Sequence, residues 1–212
     1  MIRFVITPKP TMVFMLQSSF RDPVVKIIEP FAKFLIRIGI SANLLSTIGA
    51  VGASISALYF FSNGEFLTGV FVVAGFVLFD LFDGTVARLS KKGTSKWGAL
   101  LDSTLDRISD SAILLGGLIY FSADDENLRL IFIAAIISSF LVSYIKARAE
   151  ALQIPCEGGL AERAERTILI LTAYGLYGLG VDSAVVIGIY IFTLISIITV
   201  FQRLWIVYQG SK

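Results

Sequence analysis

The chain has 212 residues, 56% of them from the A, V, I, L, M, F, W, Y and C set and only 16% charged, with a mean hydropathy of +0.81. That balance excludes an ordinary soluble domain and describes a lipid-facing protein. A net charge of +2, from 18 Lys and Arg against 16 Asp and Glu, lacks the concentrated basic excess of a nucleic-acid binder. Histidine is absent and Cys156 is the lone cysteine. Intrachain disulfides, zinc sites, His-ligated haem and His bases are therefore excluded, and any metal must be held by oxygen.

Residues 1–20 carry a short apolar patch broken by Pro8 and Pro10, without a signal-peptide cleavage pattern, and read as a loose lead-in. From Asp22, a cap ahead of Pro23, the apolar residues Val24, Ile27, Ile28, Phe31, Phe34, Leu35 and Ile38 recur at helical spacing. Lys26, Glu29, Lys33 and Arg37 occupy the other face. The spacing predicts an amphipathic helix lying in the headgroup plane and bent at Pro30, or one that packs on the bundle. Residues 1–40 thus form a lead-in and juxtamembrane helix, and residues 41–212 an all-α membrane domain.

Six apolar stretches follow, at about 42–61, 66–88, 98–121, 128–149, 161–179 and 183–208, each near the roughly 20 residues that one crossing needs. Of the 18 Lys and Arg, only Arg129 falls on one side, beside Asp124, Asp125 and Glu126. The cytoplasmic bias of positive charge then places both termini in the cytoplasm of a multi-pass cell-membrane protein. Gly49, Gly52, Ala53 and Ser56 form a small-residue strip suited to close helix contact in the first crossing.

The second crossing ends in FDLFDGTVARL and the third opens with WGALLDSTLDRISD, which sets Asp80, Asp83, Asp102, Asp106 and Asp110 in or beside apolar runs. Ionisable groups in such places normally face a cavity or one another and mark function. At 100° per residue, Asp80 and Asp83 lie about 60° apart on one helix, and Asp102 and Asp106 about 40° apart on the next. Each pair shares a face, and a short loop brings the pairs to one end. Four carboxylates without nitrogen or sulfur suit magnesium, manganese or calcium, and two ions can share them. A purely structural account pairs the acids with Arg88 and Arg107. A divalent-cation transporter is the non-enzymatic alternative, although it calls for acids at several depths. Gly84 and Gly98 fit either close ligand approach or helix packing.

These residues resemble the CDP-alcohol phosphotransferase family, whose signature reads D-x2-D-G-x2-A-R and, after a spacer of about eight, G-x3-D-x3-D. The chain supplies Asp80, Asp83, Gly84, Ala87, Arg88, Gly98, Asp102 and Asp106 in that order. Its spacer, residues 89–97, is one longer, and GISANLLS lacks the proline that many members place before the asparagine. The resemblance implies a six-helix membrane enzyme, usually a homodimer, that moves a phosphatidyl group from CDP-diacylglycerol to an alcohol and releases CMP. It implies that Asp80, Asp83, Asp102 and Asp106 bind magnesium, with manganese a possible substitute, and that Asp106 is also the general base. Asn43, Ser46, Gly84, Ala87, Arg88, Thr94 and Gly98 are the implied contacts to CDP-diacylglycerol. Asp110 continues the stripe by one turn but lies outside the signature and is left out of the site.

The acceptor must be read elsewhere. Lys146, Arg148, Arg163 and Arg166 flank a loop containing Pro155, Gly158 and Gly159, and Arg203 lies near the end of the sixth crossing. Guanidinium groups match phosphate geometry, so these cations can form an anion pocket, or they can serve as positive-inside anchors or pair with Glu162 and Glu165. SYIKARAE, GGLAERAER, FQR and LLDSTLDRISD resemble the bacterial phosphatidylinositol phosphate synthase branch. That likeness implies inositol phosphate as acceptor, with Lys146, Arg163, Arg166 and Arg203 as contacts to its phosphate. The same chemistry with glycerol 3-phosphate is the enzymatic alternative. Cys156 reads as incidental.

Overall fold

The structure, a computed structural model, describes residues 29, 30, 33–78, 86, 89, 95–122 and 125–212. Asp80, Asp83, Gly84, Ala87, Arg88 and Thr94 lie outside the described residues, as does most of the expected juxtamembrane helix. Six helices account for most of the rest: α1 (Ala42–Ser62), α2 (Phe66–Val77), α3 (Lys96–Phe121), α4 (Glu126–Ala151), α5 (Arg163–Gly178) and α6 (Ser183–Gly210). Among the described residues there is no strand.

Local chemistry starts these helices where the sequence changes character. Ser41 Oγ accepts from the Leu44 N–H at 3.3 Å, and Ser95 Oγ from the Gly98 N–H at 2.9 Å. Asp125 takes the N–H groups of both Asn127 and Leu128, at 2.8 and 3.1 Å. A capping box joins Glu162 to Glu165 at the start of α5. Each satisfies amide donors that the first helical turn leaves without intrahelical acceptors.

The helices close into a ring. α1 packs on α2 and α3, α2 on α5, α5 on α6, α6 on α4, and α4 on α3. Successive helices run in opposite directions, so the starts of α1, α3 and α5 share an end with the finishes of α4 and α6. Small residues let the backbones meet. A Cβ added at Gly116 of α3 would lie 2.5 Å from the Ala57 carbonyl oxygen of α1, and one at Gly178 of α5 would lie 2.6 Å from the Leu67 amide nitrogen of α2. The strip expected on α1 is part of this packing, with Gly49 and Ala53 buried and Gly52 facing Phe76 of α2.

An aromatic cluster fills the end of the ring away from those shared helix starts. Phe66 lies 5.6 Å from Phe61, 5.1 Å from Tyr174 and 4.9 Å from Tyr177 by ring centroids. The Tyr174 hydroxyl donates to the Ile113 carbonyl at 3.2 Å, which satisfies the polar tip of a ring that has no solvent exposure. Outward-facing positions stay apolar, with Ile55, Phe71, Ile168, Phe201 and Trp205 each more than 60% exposed. So much outward apolar surface suits lipid and not water.

Three helices, α1, α4 and α6, are long and apolar enough to cross a membrane. The remaining expected crossings differ for physical reasons. α3 has the length, at 26 residues, but carries Asp102, Asp106, Arg107 and Asp110 between its first turns and its middle. α5 has 16 residues, and α2 is apolar but is described for only 12.

Candidate active site

The antiparallel ring brings four of the sequence-derived cations to one place. Lys146 from the end of α4, Arg163 and Arg166 from the start of α5, and Arg203 from the end of α6 line a cavity of about 370 Å³. α3 supplies the remaining wall through Ala99, Ser103 and Arg107, and Glu150 and Glu162 add the acidic groups. Five cations against two carboxylates make the cavity anion-seeking.

The arginines are held differently. Arg203, 5% exposed, donates from Nη1 to the Val142 carbonyl at 2.7 Å and from Nε to the Gly158 carbonyl at 3.2 Å. Arg166, 3% exposed, donates from Nη1 to the Ala161 carbonyl at 3.1 Å. Both therefore clasp the 152–162 loop while also facing the cavity. That loop turns through Gly158 and Gly159 at φ +98° and +129°, and the Ala161 amide donates to Thr199 Oγ1 at 3.4 Å. Lys146 is exposed.

Asp102 and Asp106 stand one turn apart on α3, as the spacing predicts, with Asp102 exposed and Asp106 set deeper. Arg163 Nη1 lies 2.8 Å from Asp106 Oδ1, and Arg107 Nη2 lies 3.3 Å from Asp106 Oδ2. The carboxylate that the sequence proposes as a base is thus beside the basic cavity and already gathers two cations. At the start of the same helix, Gly98 backs onto Asn43 of α1, where an added Cβ would lie 2.9 Å from Asn43 Oδ1. Ser46 is buried one turn further along α1, and its hydroxyl donates to the Ala42 carbonyl at 3.1 Å. Asn43, Ser46 and Gly98 therefore share the α1–α3 seam.

The donor chemistry fits a hard divalent cation. Asp102 and Asp106 present carboxylate oxygens at one end of α3, and the chain has no histidine to offer nitrogen. Two groups that sequence reasoning left out also belong to this region. Asp110 meets Arg163 from one turn beyond Asp106, and Arg107 lines the cavity. The regular i, i+4 stripe of acids was the available signal for Asp110, whereas nothing in the motif singles out Arg107.

The family model for CDP-alcohol phosphatidyltransferase matches residues 39–206. The chain belongs to this family of membrane enzymes, and the cation-transporter alternative is set aside. It is 38% identical to the phosphatidylinositol phosphate synthase of Streptomyces avermitilis over 206 residues, which cover 93% of this chain and 84% of the relative. The enzyme of the same name from Mycobacterium tuberculosis is 37% identical over 190 residues, covering 87% of each chain. The crystal structure of the Mycobacterium tuberculosis enzyme with CDP-DAG bound superposes with a TM-score of 0.82 at 36% identity, covering 86% of this chain and 94% of the other. Its complex with manganese and citrate gives a TM-score of 0.81 at 36% identity, covering 85% and 88%.

Proposed function

We propose that this chain transfers the phosphatidyl group of CDP-diacylglycerol to inositol phosphate, giving phosphatidylinositol phosphate and CMP. The observation that carries this reading is the cavity beside Asp106 into which Lys146, Arg163, Arg166 and Arg203 converge. A basic pocket next to a carboxylate suits an acceptor that brings its own phosphate, because the phosphate is held while a hydroxyl is presented to the base. The relatives named above support inositol phosphate over glycerol 3-phosphate.

In this reading, the acceptor hydroxyl attacks the phosphorus that bears the diacylglycerol. Its proton passes to an Asp106 oxygen, the bond to the CMP oxygen breaks, and CMP leaves with that electron pair. Positioning supplies much of the rate advantage for so weak a base. Magnesium, or manganese in its place, would be held by Asp102 and Asp106 together with Asp80 and Asp83, and when bound it neutralises phosphate charge. Asn43, Ser46 and Gly98 would hold the CDP group along the α1–α3 seam, and Gly84, Ala87, Arg88 and Thr94 would be its further contacts.

All six helices of the ring cross the membrane in this proposal, with both termini and the cavity on the cytoplasmic side and a second copy completing a homodimer. The skew of Lys and Arg supports that orientation. An interfacial helix before α1 is supported by Phe34 and Ile38, 54% and 55% exposed, while Leu35 is buried with Leu45 and Val86.

The test is CMP release by purified protein supplied with CDP-diacylglycerol and competing acceptors. Metal-dependent release with inositol phosphate preferred is the expected result. Preference for glycerol 3-phosphate would replace the acceptor, and no release with any acceptor would overturn the reading.

A further inference from the structure

Asp110 is the one acid of the α3 stripe that the proposed chemistry does not use. Its side chain is only 13% exposed, near the middle of α3, where a carboxylate is costly unless it is paired. Its partner is Arg163, the first residue of α5. Arg163 Nε donates to Asp110 Oδ1 and Oδ2 at 3.1 and 3.3 Å, and Nη2 donates to Ser109 Oγ at 3.3 Å. Ser109 is itself fixed, buried and donating to the Asp106 carbonyl at 3.1 Å.

A guanidinium is planar and rigid, so seating Nε and Nη2 determines where Nη1 must lie. Nη1 lies 2.8 Å from Asp106 Oδ1. One turn of α3 therefore holds both faces of a single arginine, and that arginine sets the orientation of the carboxylate proposed as base and metal ligand. Charge matters as much as shape. Asp106, Asp110 and Arg163 together carry one net negative charge, and adding Arg107 brings the group to neutrality. Without the charge on Asp110, two arginines would face Asp106 alone, which disfavours both a divalent ion and a transferred proton.

We propose that Asp110 is a positioning residue, which holds Arg163 so that Asp106 keeps its orientation and its capacity to bind a divalent cation. The proposal rests on the site reading above, and it gives Arg163 a task besides meeting the acceptor phosphate. A merely structural Asp110, pinning α5 to α3, would affect stability alone.

Asp110→Asn preserves size while removing the charge. Partners of this kind typically change metal affinity or activity by about tenfold or more. The expected result is about a tenfold loss in kcat and in Mn2+ affinity, read by electron paramagnetic resonance, with the KM for CDP-diacylglycerol within about twofold of the unaltered protein. In an Arg163→Gln background the same change should add less than about a twofold further loss, because both residues act through one route. Unaltered kcat and Mn2+ affinity in Asp110→Asn, or losses that multiply in the double variant, would overturn the proposal. If Asp110→Asn does not fold, Arg163→Lys decides, since an ammonium cannot span both acids: it should reproduce the two losses, and unaltered behaviour refutes the idea. Should the unaltered protein release no CMP, the proposed function fails while the Mn2+ titration still judges Asp110.

Discussion

Arg203 of α6 donates from Nε to the carbonyl of Gly158 at 3.2 Å, joining the last helix to the loop between α4 and α5. Through Nη1 it also takes the Val142 carbonyl of α4 at 2.7 Å, so a single side chain ties three parts of the cavity wall. In the proposed function, acceptor binding and loop placement are therefore coupled at this residue. Arg203→Ala removes both of these charge-assisted hydrogen bonds, each worth about 1.5–3 kcal/mol. The expected outcome is a lower unfolding temperature, faster proteolysis within residues 152–162 and a raised acceptor KM. Loss of acceptor affinity with unaltered proteolysis would show that the clasp is dispensable.

Gly159 tests the loop itself. Its φ of +129° is a conformation that side chains rarely adopt, and a Cβ would lie 2.6 Å from Thr199 Cγ2. Gly159→Ala is expected to destabilise by about 1–3 kcal/mol and to raise the acceptor KM, because the loop must shift away from α6. Adding Thr199→Ser removes the methyl group but not the backbone strain, so thermal unfolding should recover only in part. Full recovery would assign the whole effect to crowding.

Lys146 and Arg166 both line the cavity but are held differently. Lys146 is exposed, whereas Arg166 is buried with Nη1 on the Ala161 carbonyl. Lys146→Ala should raise the acceptor KM by about tenfold, the scale of one charge-assisted contact, with the unfolding temperature unmoved. Arg166→Ala should raise that KM and lower the unfolding temperature as well. Equal stability of the two variants would contradict the difference in their surroundings.

The helices themselves were legible in the apolar blocks, because long apolar runs constrain a membrane chain strongly, whereas the order in which they pack into a ring was not. The stripe of Asp102, Asp106 and Asp110 was equally readable, since helical periodicity alone puts residues four apart on one face. What Asp110 does was not. Its role depends on Arg163, 53 residues away, and no local pattern carries a contact between helices. The same limit applies to Arg166 and Arg203: the sequence showed cations near a loop, but only their burial reveals that both hold its carbonyls.

Asp106→Asn separates chemistry from architecture. The amide keeps the size of the carboxylate and one acceptor oxygen, so the link to Arg163 can persist in weakened form. An amide cannot take up the proton of an attacking hydroxyl, and loss of a general base typically costs about 10²–10⁴-fold in rate. CMP release should fall by that order while detergent-solubilised protein elutes unchanged in gel filtration. Turnover near that of the unaltered protein would remove Asp106 as the base.

Gly116 reports on the framework that holds α3 in place. Its backbone lies against α1 so closely that a Cβ would come within 2.5 Å of the Ala57 carbonyl oxygen and 2.9 Å of Phe61 Cβ. Neither neighbour is the far end of a flexible chain, so Gly116→Ala must push α3 away from α1. Overpacking of this kind costs about 1–3 kcal/mol. The displacement also acts at a distance, because α3 is one continuous helix that sets Gly98 against Asn43 and carries Asp102 and Asp106 in the turns that follow. The variant should therefore unfold at a lower temperature and show a raised KM for CDP-diacylglycerol, with the acceptor KM less affected. A variant with lowered stability but unaltered KM for the nucleotide lipid would show that the two ends of α3 are mechanically independent.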